Sequence, residues 1–490
     1  MDKRWFVVAA VGSATFVTSL DTAVLNTALP SIRADLCMSL TDMERIGASF
    51  LVTYASLIPA GGRMADRFGR KRILLCGLLL FGCSSVFAAS AWSSGSLITA
   101  RILQGASAAL ISPTCLALIG ATFKSVERKK RDIAVGVWLS LAATAVAVGP
   151  PMGGLISQYA DWRYIFWINV PTVGMSALLA VAGVCERSDV PRRKTVGLGG
   201  IALAACAILG TVVTLLLVQD RGPGSPPVFV SATFAIITAL AFVLHERRTD
   251  DPLINEEMRR SRTFMGGLTV CFIAHFSLMG AYFYSAIFIQ QALGYSPTRA
   301  GLIFVAFSLL MLLGVPVATR VCAAHGTHVS TAAGLLTMAI GIGLSAAAGT
   351  GINYLELNAV FGLIGAGYAL MTTMSGSALA VVPESGYGTA SGLLDTAREL
   401  SSLFGIICAG TILMAEEKSS LAGGATTGEA FVSGYRTALT AAAITMAAGA
   451  AIGSILLTPR TDDRRSSSPA HPAHPLDTPG GRSDHDPSGK

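Results

Sequence analysis

Fourteen apolar runs of about 20 residues dominate the chain, and a hydrocarbon core about 30 Å thick takes about that many residues of α-helix to cross. They fall at roughly 5–28, 46–65, 73–92, 96–122, 133–157, 164–185, 196–218, 227–245, 263–290, 300–321, 329–348, 354–381, 389–414 and 436–457. Lipid offers no water to backbone N–H and C=O groups, so runs of this length must bond internally, as helices. Charged residues make up 13% of the 490 positions and hydrophobic ones 52%, which excludes a soluble enzyme carried on a small anchor. The expected fold class is an all-α polytopic membrane protein. The run from Trp5 leads straight into Asp21 without the short apolar core and small-residue cleavage site of a signal peptide, so it counts as span one.

The positions of the cations give an orientation. With an inside N-terminus, 27 of the 36 Lys and Arg fall in cytoplasmic segments and 7 outside, the asymmetry that orients membrane helices. Both termini are expected in the cytoplasm, and topology rather than nucleic-acid binding accounts for the net charge of +7. Beyond Leu457 the composition turns to Pro, Ser, His, Asp and Gly, so 459–490 reads as a disordered cytoplasmic tail. His471 and His474 in that tail are not read as a metal site. The nine Cys show no paired or metal-type spacing and read as small packing residues.

A weak repeat relates span four to span twelve: Gly105-Ala106-Ser107-Ala108-Ala109-Leu110 lies on Gly365-Ala366-Gly367-Tyr368-Ala369-Leu370. If spans seven and eight are an insertion, these are the fourth helices of two halves. The organisation is then an N-terminal six-helix bundle over 1–190, two inserted helices with a flanking loop over 191–258, and a C-terminal six-helix bundle over 259–458. Repeated bundles of this kind suggest a transporter with its substrate site between them at mid-membrane. Short Gly/Ala strings also arise from helix packing alone.

Four motifs narrow the reading. Between spans two and three stands Gly62-Arg63-Met64-Ala65-Asp66-Arg67-Phe68-Gly69-Arg70-Lys71-Arg72, where topology explains the cations but not the Gly, Asp and Gly at fixed offsets. Asp66 among five cations can pair with Arg or with a helix N-terminus, so Gly62, Asp66, Arg67, Gly69 and Arg70 form a candidate conformational latch. Span one carries Leu20-Asp21-Thr22-Ala23-Val24-Leu25-Asn26-Thr27-Ala28-Leu29-Pro30. Span five carries Gly149-Pro150-Pro151-Met152-Gly153-Gly154, and span six opens with Trp162-Arg163-Tyr164-Ile165-Phe166-Trp167-Ile168-Asn169-Val170-Pro171.

In this order the motifs resemble those of the major facilitator superfamily, and within it the fourteen-span drug:proton antiporters of bacteria. The resemblance covers residues 1 to about 457. It implies proton-coupled efflux of a drug or antibiotic across the cytoplasmic membrane, with a role in proton transfer for Arg101 and an association of the Gly149–Gly154 motif with export.

The ionisable residues inside spans carry the mechanism. A charge at the bilayer centre costs about 2.5–3.5 kcal/mol on insertion scales, so each one needs a reason. Asp21 is the first candidate proton site; a purely structural pairing is the competing reading. Asn26 is a packing residue or a cavity-lining one. On span four, Arg101, Gln104, Gly105, Ala108 and Ser112 share a face at offsets 0, 3, 4, 7 and 11, so Gln104 and Ser112 are candidate cavity residues beside Arg101. Arg101 can equally pair with Asp21 or a backbone carbonyl.

Span thirteen places Asp395, Arg398, Glu399 and Ser402 on one face. Asp395 and Glu399 are candidate proton sites and Arg398 a cavity residue; an internal salt-bridge network is the alternative. His275, among Phe272, Phe276, Tyr282, Phe283, Tyr284 and Phe288, reads as hydrogen-bonded packing before it reads as a drug contact. Ala145, Gly149, Gly153 and Ser157 form a smooth ridge on span five with Pro150 and Pro151 beside it, a sealing and hinge surface with Gly154 at its end.

No phosphate-cradling Gly-Lys-Ser/Thr loop, His-Glu-x-x-His helix or nucleophile elbow is present, so the chain is not expected to be an enzyme. The expected partners are a small-molecule drug, protons and the lipid bilayer, with no cofactor, metal or nucleic acid and a monomeric state. An importer or facilitator of a small metabolite is the main competitor, followed by a non-transporting membrane sensor or enzyme.

Overall fold

A computed structural model describes residues 3–123, 128–184, 198–222, 224–249, 256–382 and 387–458. The tail expected at 459–490 lies outside the described residues. The first six spans are α1 (Lys3–Asp35), α2 (Leu40–Phe68), α3 (Arg70–Ala89), α4 (Ser94–Thr122), α5 (Arg128–Tyr159) and the broken pair α6 (Tyr164–Trp167) and α7 (Asn169–Gly183). Next come α8 (Leu198–Arg221), α9 (Pro226–Arg248) and the short α10 (Glu256–Arg260). The last six spans are α11 (Arg262–Gln291), α12 (Pro297–His325), α13 (Thr327–Ala348), α14 (Tyr354–Ala380), α15 (Tyr387–Ala422) and α16 (Thr427–Leu456).

Among the described residues, thirteen helices are long and apolar enough to cross a membrane. The fourteenth is α2, whose 29 residues reach about 43 Å at 1.5 Å per residue but which carries charges in both end turns. It packs on α4, α8 and α15, so α2 faces protein on several sides and needs less apolar surface than a lipid-facing helix.

The two halves repeat the same packing. In the first, α1 packs on α5 and α7, α4 on α2 and α3, and α3 on α7. In the second, α11 packs on α15 and α16, α14 on α12 and α13, and α13 on α16. Each pair of the first set maps onto one of the second when α1–α5 become α11–α15 and α7 becomes α16. The matched glycines carry the equivalence to atoms: a Cβ on Gly105 would sit 2.5 Å from the Phe50 carbonyl oxygen of α2, and one on Gly365 2.0 Å from the Phe307 oxygen of α12. Only hydrogen fits where helix backbones approach this closely. The caps repeat as well. Ser39 and Ser296 cap α2 and α12, and Ser93 and Asn353 close capping boxes on α4 and α14.

Helices α8 and α9 pair with each other, and α8 leans on α2 and α15. The bundles themselves meet through α5 against α12 and α2 against α15. Their polar contacts gather at the end of the molecule where α1 hands over to α2. There Gln290 donates to the Thr27 carbonyl at 3.1 Å, the Thr298 hydroxyl donates to the Gly154 carbonyl at 3.3 Å, and Arg33 reaches Gln291 at 3.4 Å.

Candidate functional site

Two charged clusters lie within the helices. The first is sealed inside the N-terminal bundle. Asp21 from α1 and Arg101 from α4 form an ion pair with side chains 0% and 1% exposed. The Gln104 amide donates to Asp21 at 3.2 Å and to Ser85 of α3 at 3.0 Å, while Arg101 donates to the Gln104 carbonyl oxygen at 2.8 Å. Asn169, the first residue of α7, donates to Asp21 at 2.6 Å. Phe50 of α2 lies under the Arg101 guanidinium at 4.5 Å, a cation–π contact on the remaining side.

Two helices, α4 and α7, thus supply three donors to one carboxylate of α1. This geometry realises the pairing that competed with a solitary proton-site reading of Asp21. Gln104 is fully buried in this cluster. Asn169 and Ser85 were missed from sequence. Asn169 stood in a recognised motif, but at the start of a span, where the break between α6 and α7 is what carries it inward.

The second cluster is more open and lies on α15. Asp395 and Arg398 form an ion pair, and Glu399 stands 4.0 Å from Arg398 Nε. Their side chains are 32%, 41% and 22% exposed, so the cluster is only partly covered. Tyr368 from α14 lies beside Arg398. Tyr54, from α2 in the other bundle, lies close enough to feel the charges of Glu399 and Arg398 and is hydrogen-bonded to Ser112 of α4. Ser112 therefore adjoins the second cluster through Tyr54. Tyr54 and Tyr368 were not foreseen, because a tyrosine in an apolar run gives no periodic signal of what it faces.

His275 is buried, with Nδ1 2.9 Å from the Cys271 carbonyl oxygen of its own helix and Nε2 3.1 Å from the Tyr368 hydroxyl. Through Tyr368 it adjoins the second cluster, and it lies close enough to Arg398 to feel its charge. Asn26 is half-buried on α1. No group of three or more His, Cys, Asp or Glu among the described residues could hold a metal ion.

The segment between α2 and α3 is a tight turn. Gly69 takes φ 102°, a value that favours glycine, and its N–H closes α2 on the Ala65 carbonyl at 3.1 Å. Arg70 donates to the Ala117 carbonyl of α4 at 2.9 Å, within the same bundle, and Arg67 lies over Phe68. A Cβ on Gly62 would make ordinary contact with Pro113 at 3.6 Å, whereas its neighbour Gly61 touches the Ala109 carbonyl. The Asp66 side chain lies outside the described residues.

The span-five motif splits between two partners. Gly149 and Gly153 press against Ala23 and Val24 of α1, and the Pro150 carbonyl accepts the Thr27 hydroxyl at 3.1 Å. Gly154 faces the other way, onto the Pro297 carbonyl of α12, while Gly301 of α12 faces the Pro150 carbonyl. The motif therefore both builds the N-terminal bundle and seats it on the C-terminal one.

The Major Facilitator Superfamily profile matches residues 11–406 and 267–480. A puromycin resistance protein of Streptomyces alboniger is 30% identical, with 96% of this chain and 95% of that protein covered. A tetracenomycin C resistance and export protein of Streptomyces glaucescens is 29% identical over 82% of this chain and 74% of its own length. Among solved structures, a peptide transporter POT superposes with a TM-score of 0.67 at 15% identity, covering 94% of this chain and all of that one, which supports the fold alone. With its repeated bundles, its membrane-length helices and these relatives, the chain is a multi-pass membrane protein that belongs to the Major Facilitator Superfamily.

Proposed function

We propose that this protein exports a hydrophobic drug or antibiotic across the cytoplasmic membrane in exchange for protons, by alternating access between its two bundles. The observation that carries the reading is the partly open Asp395–Arg398–Glu399 cluster facing Tyr54 across the bundle interface. Resistance proteins of similar length at 30% identity support a drug as cargo. Charged groups there can exchange protons and hold a polar edge of a substrate whose apolar body rests on neighbouring aromatic rings. The sealed Asp21–Arg101 pair is a second candidate for proton coupling, because loss of the Asp21 charge would release Arg101 from its partner.

The distribution of Lys and Arg supports cytoplasmic termini, and with that orientation the end where Gln290 meets Thr27 and Thr298 meets Gly154 faces outward. One proton moving down about 1 pH unit and about 100 mV supplies roughly 1.4 + 2.3 kcal/mol, enough for a ~500-fold gradient of a neutral substrate. The proton gradient then stands in place of any cofactor, and one chain suffices for the cycle.

Whole-cell accumulation of a fluorescent dye tests the proposal, with and without a protonophore. An exporter holds accumulation below that of cells lacking the protein until the gradient collapses. Accumulation above that baseline would instead support an importer, and no difference on dyes and a resistance panel alike would refute the transport reading.

A further inference from the structure

One buried acid takes no part in either cluster. Glu44, in the second turn of α2, is fully buried, although its neighbours Asp42 and Arg45 point outward. Asp42 closes the Ser39 capping box, and Arg45 pairs with Asp42 at 3.6 Å and with Asp220 of α8. Glu44 turns instead toward the C-terminal bundle, where the buried Tyr284 of α11 donates its phenolic hydrogen to the Glu44 carboxylate. From α15, Gly410 closes the pocket: a Cβ there would lie 2.5 Å from the carboxylate oxygen of Glu44 and 2.1 Å from the Tyr284 hydroxyl. Three helices from both bundles therefore converge on one hydrogen bond, at the same end as the Gln290–Thr27 and Thr298–Gly154 contacts.

We infer that Glu44 is a positioning residue that holds this end of the transporter shut through Tyr284. The inference rests on the alternating-access reading, in which the bundles must part at this end once per cycle. Parting breaks a bond between two side chains that are otherwise removed from water, so the bond biases the equilibrium toward the closed end. Gly410 is part of the device, because any side chain there would wedge the acid and the phenol apart. Of the charged residues next to Glu44 in sequence, Asp42 and Arg45 pair with each other, and Arg45 also with Asp220 of α8.

The test reads the opening itself. In whole cells, a Thr298→Cys reporter with the exposed Cys37, Cys76 and Cys83 replaced by Ser is labelled with a membrane-impermeant maleimide, and every comparison is made in that background. Tyr284→Phe and Glu44→Ala should each speed labelling about 10-fold or more, the population change for losing one hydrogen bond to a charged group. Glu44→Gln keeps an oxygen that accepts the phenolic hydrogen and should stay near the parent rate. Gly410→Ala should speed labelling with Glu44 and Tyr284 intact. Size-exclusion profiles of the purified variants identify any that fail to fold, and Tyr284→Phe, which keeps the ring, is the arm least exposed to that failure. Parent-rate labelling in a folded Tyr284→Phe, or equal rates for Glu44→Gln and Glu44→Ala, would overturn the latch. Faster labelling in a protein that moves no dye would leave the latch standing and sink the export reading, so the two failures are distinguishable.

Discussion

Replacing Asp21 by Asn is the natural test of proton coupling, and the structure predicts that the single variant will mislead. Arg101 is 1% exposed and its counter-ion is Asp21, with Gln104 and the Phe50 ring as the other contacts described around it. Removing one charge of a buried pair costs about 3–5 kcal/mol, because the remaining charge stays in a low-dielectric site without compensation. That is a large share of the roughly 5–15 kcal/mol that separates folded from unfolded in typical proteins. Asp21→Asn should therefore lower the thermal midpoint of detergent-solubilised protein by several degrees and reduce its yield, as well as any transport. Removing both charges together, in Asp21→Asn with Arg101→Met, should recover most of the lost stability, because an apolar replacement for a buried pair is often neutral or better. If Asp21 also couples protons, the double variant will be stable and still fail to drive efflux. A melting midpoint for Asp21→Asn equal to that of the parent protein, measured by fluorescence-detected size exclusion after heating, would refute the argument that this pair is sealed.

Other consequences follow from the same geometry. Gly365→Val would drive a side chain into the Phe307 backbone, and Gly105→Val into that of Phe50, so both should abolish correctly folded protein, read as loss of the monodisperse chromatographic peak. Asp395→Asn leaves a partly exposed Arg398 with Glu399 4.0 Å away, so it should change stability little while shifting the resistance profile against cationic relative to anionic compounds. An unchanged profile would remove Asp395 from the substrate surface. Arg45→Ala breaks only partly exposed pairs with Asp42 and Asp220 and should cost less than about 1 kcal/mol of stability by thermal melting, despite linking α2 to an inserted helix.

Much of the architecture was legible because lipid imposes simple rules. Apolar runs of membrane length located the helices, although the helices run past them: α15 extends to Ala422 where its run ends near 414, and α1 continues through Pro30 to Asp35. The ends lie where polar residues are tolerated, so hydropathy stops before the helix does. This is also how Glu44 escaped notice. It stands two positions before the run that begins at 46, in what reads as a loop, and it becomes an interior residue only because α2 starts at Leu40. The match of Gly105 to Gly365 was a six-residue hint that packing turned into an equivalence, since both glycines admit the second helix of their own half.

The sequence by itself determined that this chain spans a membrane many times and that a few ionisable residues lie deep in its helices. Cost decides those matters: a charge or an open backbone group in lipid is too unfavourable to be accidental. Only the tertiary structure decided which of those charges meet. Asp21 and Arg101 are 80 positions apart and close on each other, with Gln104 drawn in and Asn169 delivered by the break between α6 and α7. Arg398 instead stays partly open beside Tyr54 of the opposite bundle. Periodicity gives the face of a helix, but the rotation and depth at which that face meets another come from side-chain packing across distant segments.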